Sequence, residues 1–231
     1  MKKYKHLFID LDRTIWDFEK NAAETFHDIF TKYKLKERGV ESLELFTKTY
    51  KTHNDLLWSY YRKGEILKEV LSVQRFEMTL NDFGINNLLL AKQIGDDYIS
   101  ISPLKTNLFP YSHESLAYLK NKYTLHLITN GFEEVQQTKI DVSDLRKYFH
   151  KIITSEEAGA KKPEKQIFEF ALKKANAKPE ESIMIGDDLK VDILGAKAFG
   201  IDQIYVNFER IPHSEDVTFE IDSLKKLQEI L

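Results

Sequence analysis

Four short segments of this 231-residue chain carry side chains suited to polar chemistry. Asp10-Leu11-Asp12-Arg13-Thr14 sets two carboxylates two residues apart, which points both to one side if the backbone stays extended. Thr129-Asn130-Gly131 offers a hydroxyl and an amide, and Lys162-Pro163 offers an ammonium group. Gly186-Asp187-Asp188 adds two more carboxylates, with Asp192 one helical turn further on. Carboxylates that share a site repel one another unless a cation or a proton is present. A hard cation with oxygen ligands is the simplest resolution, and Mg²⁺ is the natural one. A hydroxyl, a lysine and helix N-termini beside it would suit a phosphate. Nucleophile, cation, lysine and anion cradle are the parts that phosphoryl transfer needs.

Taken singly, each segment has an ordinary explanation. An Asp-x-Asp is commonly a turn, Thr-Asn-Gly a loop, Lys-Pro a helix start and Gly-Asp-Asp an N-capped turn. The chemical reading therefore depends on elements that bring the four together. His6-Leu7-Phe8-Ile9 reads as a short buried strand with Asp10 at its carboxyl end. From Ser102 onward, strand and helix signals alternate. Strands are expected at Thr124–Thr129, Lys151–Thr154, Ser182–Ile185, Ile204–Val206 and Val217–Ile221. Helices are expected at Ser112–Asn121, Phe132–Ile140, Pro163–Ala175 (opened by its proline), Val191–Phe199 and from Asp222. That rhythm argues for an α/β fold with a parallel sheet covered on both faces, and each segment then falls at a strand's carboxyl end, where such sheets bind ligands.

Between the first strand and this region the signals are helical throughout, with Gly39, Gly64 and Gly84 as punctuation. The expected organisation is an α/β core, residues 1–17 and 102–231, with a helical insert over residues 18–101. The insert is rich in aromatics, including Phe26, Phe30, Phe46, Tyr50, Trp58, Tyr60, Tyr61, Phe76 and Phe83. Most of these belong to helix packing, and one or two are candidates to stack on a ligand ring.

Composition narrows the classes further. Lys and Arg number 34 and Asp and Glu 37, a net charge of −3, and hydrophobic residues make up 42%. That describes an ordinary globular chain with no general field for a nucleic-acid polymer. There are no cysteines, which removes disulfides, thiolate metal sites and thiol nucleophiles, and fits a reducing compartment such as the cytoplasm. The basic start Met1-Lys2-Lys3-Tyr4-Lys5 leads into an apolar stretch too short for a secretory signal, and no window approaches a membrane span.

The four segments, with Ile167-Phe168, Ile193 and Gly195-Ala196 beside them, resemble the haloacid dehalogenase superfamily of hydrolases over essentially the whole chain. The insert resembles the C1-type cap of the subfamily that includes phosphoglycolate phosphatases, on a Rossmann-type parallel sheet. Thr14-Ile15-Trp16-Asp17-Phe18-Glu19-Lys20-Asn21 is similar to bacterial nucleotidases acting on nucleoside 5'-monophosphates. The resemblance implies that Asp10 is a nucleophile forming an aspartyl-phosphate and that Asp12 serves as acid and then base. It implies Mg²⁺ on Asp10, the Asp12 carbonyl and Asp187, with phosphate bound by Thr129, Asn130 and Lys162. Thr14, Gly131, Asp188 and Asp192 become supporting residues, the last two sharing roles near the lysine and the metal. Trp16, Phe18 and Asn21 are the expected substrate contacts in and near the cap, with Trp58 a weaker candidate. Arg13 stands where many members carry a small residue, and solvent or a surface pair is its expected surrounding.

The expected function is a Mg²⁺-dependent phosphomonoesterase acting on a small molecule, a nucleoside 5'-monophosphate. Alternatives are a sugar phosphate or phosphoglycolate substrate, a phosphomutase, or a non-catalytic binding protein. A monomer is the default, with a dimer through amphipathic cap helices as the alternative.

Overall fold

The computed structural model describes residues 4–231, so the basic start at Met1 to Lys3 lies outside the described residues. The chain divides into two compact units: residues through Phe18 together with Thr106–Leu231, and Glu19–Lys105 between them. The divisions fall after Phe18 and after Lys105, where the sequence expectation set them after residues 17 and 101.

The first unit is a six-stranded parallel sheet in the order β3-β2-β1-β4-β5-β6. Its strands are β1 (His6–Ile9), β2 (Thr124–Thr129), β3 (Lys151–Thr154), β4 (Ser182–Gly186), β5 (Asp202–Val206) and β6 (Phe219–Ile221). Side chains alternate across β1. Leu7 and Ile9 join one core with Leu116, Leu119 and Leu227, and Phe8 joins the other with Ile167, Phe168 and Ala171. The first core is covered by α5 (Ser112–Lys120) and α10 (Leu227–Ile230), the second by α8 (Lys165–Ala175). Register places Ile9 beside Leu127 of β2 and Ile185 of β4. The carboxyl ends of the three central strands are therefore level, which sets Asp10, Thr129 and Asp187 at one edge.

Three expected helices differ in detail; the one expected from Asp222 is a 3-10 turn, Leu224–Lys226, that leads into α10. Pro163 does not open α8, which begins at Lys165; the Lys162-Pro163 bond is cis and lies in the preceding turn. The expected helix after β4 is a π-helical segment, Leu189–Leu194, followed by the short α9 (Gly195–Ala198). The other helices of this unit are α6 (Glu133–Val142) and the single turn α7 (Ser155–Ala158).

The second unit is helical: α1 (Phe18–Lys32), which starts on the last residue of the first unit, α2 (Leu43–Arg62), α3 (Lys68–Asp82) and α4 (Leu88–Ile101). Ser42 and Asn87 cap α2 and α4 by accepting from Leu45 N and Leu90 N. Phe26, Phe46, Tyr50 and Phe76 are buried in the packing, with Phe26 and Tyr50 centroids 4.6 Å apart. Among the described residues no helix is long and apolar enough to cross a membrane.

Candidate active site

Asp10 follows β1 directly, its N–H donating to Ile185 O at 2.9 Å, so the sheet itself fixes its backbone. The chain then turns tightly, with Ile15 N and Trp16 N both donating to Leu11 O. This turn folds Thr14 back over the strand end. Its hydroxyl lies 3.0 Å from Asp187 Oδ1 and 3.4 Å from Asp10 Oδ2, joining the first and fourth segments. Arg13 takes a left-handed conformation in the turn, φ 63°, and its guanidinium lies 4.3 Å from the Phe18 ring centroid. Arg13 stays partly exposed, and this aromatic face is one of its contacts.

Lys162 stands at the centre of the site. Its ammonium donates to Asp10 Oδ1 at 2.5 Å and to Ile128 O at 3.0 Å, and pairs with Asp192 Oδ1 at 2.7 Å. Asn130 clamps the lysine's backbone from the second segment: Nδ2 donates to Lys162 O at 2.9 Å, and Oδ1 accepts from Lys162 N at 2.8 Å. The Asn130 side chain is thus committed to Lys162. Asp188 and Asp192 divide their work clearly. Asp188 Oδ1 caps the π segment by accepting from Lys190 N and Val191 N. Asp192 faces the lysine with one oxygen and accepts from Asp188 N with the other. Gly186 must be glycine here, because a Cβ would stand 2.4 Å from Asp192 Oδ2.

Asp12 is held from the other side. Its Oδ1 pairs with Lys139 Nζ at 2.5 Å, and its Oδ2 accepts from Gln136 Nε2 at 2.8 Å. The same Gln136 nitrogen lies 2.7 Å from Thr129 Oγ1, which also accepts from Gly131 N at 3.1 Å. Gly131 leaves room for this: a Cβ there would meet Gln136 Nε2 at 2.4 Å.

The electrostatics carry an excess of buried negative charge. Asp10, Asp187 and Asp192 offer carboxylate oxygens within 4.8 Å of one another. Burial, then neighbouring carboxylates, push Asp10 and Asp187 above the usual carboxylate range, and burial pushes Asp192 up against the pull of Lys162. Burial pulls Lys162 down, but Asp10 and Asp192 outweigh it and raise it. Asp10 and Asp192 flank the buried Lys162, and with the partly buried Asp187 they form a carboxylate group that suits a hard divalent cation with oxygen ligands.

Residues 4–200 match the haloacid dehalogenase-like hydrolase profile. The chain belongs to that family. The putative HAD-hydrolase YfnB of Bacillus subtilis (strain 168) is 27% identical over 236 residues, spanning 100% of this chain and 97% of YfnB. A crystal structure of YfnB bound to magnesium is similar at a TM-score of 0.87 and 25% identity, covering 99% of each chain. The pyrimidine 5'-nucleotidase PynA of Streptococcus pneumoniae is 30% identical over 234 residues, 99% of this chain and 95% of PynA. A glyceraldehyde 3-phosphate phosphatase of Methanothermobacter thermautotrophicus is 30% identical over 239 residues, 98% of this chain and 99% of that enzyme.

In this haloacid dehalogenase-like hydrolase the structure brings together Asp10, Asp12, Thr14, Thr129, Asn130, Gly131, Lys162, Asp187, Asp188 and Asp192. The expected substrate contacts fare differently. Trp16 is fully buried, and the Lys139 ammonium sits 4.0 Å from its ring centroid. Phe18 is half-buried under Arg13. Asn21 belongs to the helical unit, where it is buried in α1. Sequence reasoning missed Gln136 and Lys139. Their signal was present: with Phe132 and Ile140 they fall at positions 132, 136, 139 and 140, a single helical face on which two polar residues replace apolar ones.

Proposed function

We propose that the protein is a Mg²⁺-dependent phosphomonoester hydrolase that acts on nucleoside 5'-monophosphates through an aspartyl-phosphate. The observation that carries this reading is the seating of Asp10. One of its oxygens is held by a buried lysine, and the other lies beside Thr14 at the meeting point of three strand ends. Such a carboxylate is oriented and partly neutralised, as a nucleophile toward an anion must be.

In the first step an Asp10 oxygen bonds to phosphorus and the ester P–O bond breaks. The departing oxygen takes the proton of the Asp12 carboxyl. In the second step Asp12 accepts a proton from water, the water oxygen bonds to phosphorus, and the P–O bond to Asp10 breaks. Inorganic phosphate leaves with Asp10 ionised and Asp12 protonated again. Thr129 and main-chain N–H groups beside it bind phosphoryl oxygens, and Lys162 offsets their charge beside the nucleophile. Asp10 and Asp187 would hold Mg²⁺ with the Asp12 main-chain carbonyl, and the ion would offset charge on the nucleophile and the phosphoryl group. Asp192 faces Lys162 with one oxygen and accepts from Asp188 N with the other, so its role is to hold the lysine and the loop beside the site.

The nucleotide preference is supported by the full-length similarity to PynA. Equal identity to a glyceraldehyde 3-phosphate phosphatase makes a small sugar phosphate the second reading. Phosphate release with Mg²⁺ across pyrimidine and purine 5'-monophosphates, glyceraldehyde 3-phosphate, phosphoglycolate and other sugar phosphates separates them. Highest kcat/KM on nucleoside monophosphates supports the first reading; highest kcat/KM on a sugar phosphate replaces it with the second. No release from any of them would overturn both.

A further inference from the structure

We infer that Lys139, with Gln136 beside it, is a positioning residue that aims the Asp12 carboxyl at the leaving-group oxygen. This rests on the reading of Asp12 as the proton donor and acceptor. The geometry is specific. Lys139 is 4% exposed, and its ammonium is sandwiched between the face of Trp16 and Asp12 Oδ1. The two partners differ in burial: the lysine side chain is 5% exposed and that of Asp12 is 24% exposed. The cation therefore grips the carboxylate from the protein side and leaves an edge of Asp12 open.

A purely structural origin for this pair accounts for the arrangement poorly. Burying a lysine against a carboxylate is at best weakly favourable, and an apolar residue on the Trp16 face would do as well for stability. The second half of the grip also points to function. The Gln136 amide nitrogen touches Asp12 Oδ2 and Thr129 Oγ1 together. One helix face thus fixes the distance between the proposed proton-transfer group and the proposed phosphate-binding hydroxyl. Lys139 and Gln136 share α6, so a rotation of Asp12 must break contacts to both. Asp12 lies three residues beyond the end of β1, in the turn closed on Leu11 O, and its short side chain has two χ angles to lose. Holding both of its oxygens from one rigid helix removes that freedom before the substrate arrives.

The test separates the two chemical steps by choice of leaving group. p-Nitrophenolate departs without a proton, whereas an alkoxide such as a nucleoside 5'-oxygen needs one. The second step needs Asp12 as base for every substrate. In Lys139→Met the pre-steady-state burst of p-nitrophenolate should keep its rate within about threefold, while steady-state turnover falls about a hundredfold, the low end of a general acid–base contribution. Single-turnover cleavage of the best alkyl phosphomonoester should fall by about the same hundredfold, with KM changed little. Lys139→Arg should restore turnover to within about tenfold, since it keeps the cation, and Lys139→Gln serves if the methionine variant folds poorly.

The inference is overturned if burst and steady-state rates fall together, which marks general damage to the site, or if neither rate changes. Asp12→Asn is run beside it. Selective loss there with full activity in Lys139→Met overturns the role of Lys139 alone. Full activity in Asp12→Asn overturns the reading of Asp12 and this inference with it.

Discussion

Replacing Lys162 by methionine should destabilise the protein strongly, and the cost should depend on pH. The lysine is 2% exposed and is the only cation within 3 Å of Asp10 and Asp192 among the contacts described above. Removing one partner of a buried ion pair costs about 3–5 kcal/mol, because the remaining charge stays buried without compensation. Two carboxylates share this lysine, and Ile128 O also loses its donor, worth about 1 kcal/mol. Proton uptake limits the damage. Burial already holds the Asp10 and Asp192 carboxyls above their ordinary range, and without Lys162 they move higher. A carboxyl raised in the folded state binds more protons folded than unfolded, so the variant gains relative stability as pH falls. The expected loss is about 4 kcal/mol at pH 8, shrinking to about 1–2 kcal/mol near pH 5. Urea unfolding of metal-free wild type and variant at both pH values measures it. A loss below about 1 kcal/mol at pH 8, or one that grows as pH falls, would refute the argument that Lys162 neutralises a buried excess of carboxylate.

Three further outcomes are expected. His126 is fully buried against Phe8 and beside His6, and burial, then His6 and His150, pull its imidazole down to about 3. The unfolded chain binds that proton near pH 6.5, so stability is full above that pH and declines by at most about 4–5 kcal/mol toward pH 3. His126→Phe should flatten this acid limb in thermal unfolding, and an unchanged slope would contradict the assignment. Gly131→Ala puts a methyl where Gln136 Nε2 now lies, so it should displace the amide from Asp12 and Thr129. Turnover should drop about tenfold for a loss of about 1 kcal/mol in stability; full activity would show that the Gln136 bridge is dispensable. Asn130→Ala removes both side-chain bonds to the Lys162 backbone and should cost about 1–2 kcal/mol with a lower kcat; wild-type kcat and stability would show that the clamp is not needed.

What could be read from the sequence follows physical locality. Leu7-Phe8-Ile9 and Ile183-Met184-Ile185 are unbroken apolar runs and Leu125 to Ile128 is broken only by His126, with Asp10, Gly186-Asp187 and Thr129 just beyond them, so the strands and the residues at their tips were legible together. The direction of individual side chains was not. Trp16 lies beside the first segment in sequence, yet the turn closed on Leu11 O sends its ring into the core, under Lys139. Lys139 and Gln136 look like solvent-facing residues of a polar helix until the sheet places Asp12 over that face. The split of duty between Asp188 and Asp192 turns on the π segment, whose wider turn no hydrophobic period announces. Lys162-Pro163 reads as a helix start by pattern, whereas the reciprocal bonds from Asn130, which is 32 residues away, hold it as a turn.

The central claim is that Asp10 becomes phosphorylated. The enzyme, turning over its best phosphomonoester with Mg²⁺, is quenched in acid, reduced with borohydride and mapped by mass spectrometry. An acyl phosphate is reduced to the alcohol, so homoserine should appear at position 10 only when substrate was present, and Asp10→Asn should give none. Turnover with no modification at position 10, or with the phosphoryl group trapped on another residue, would contradict the account.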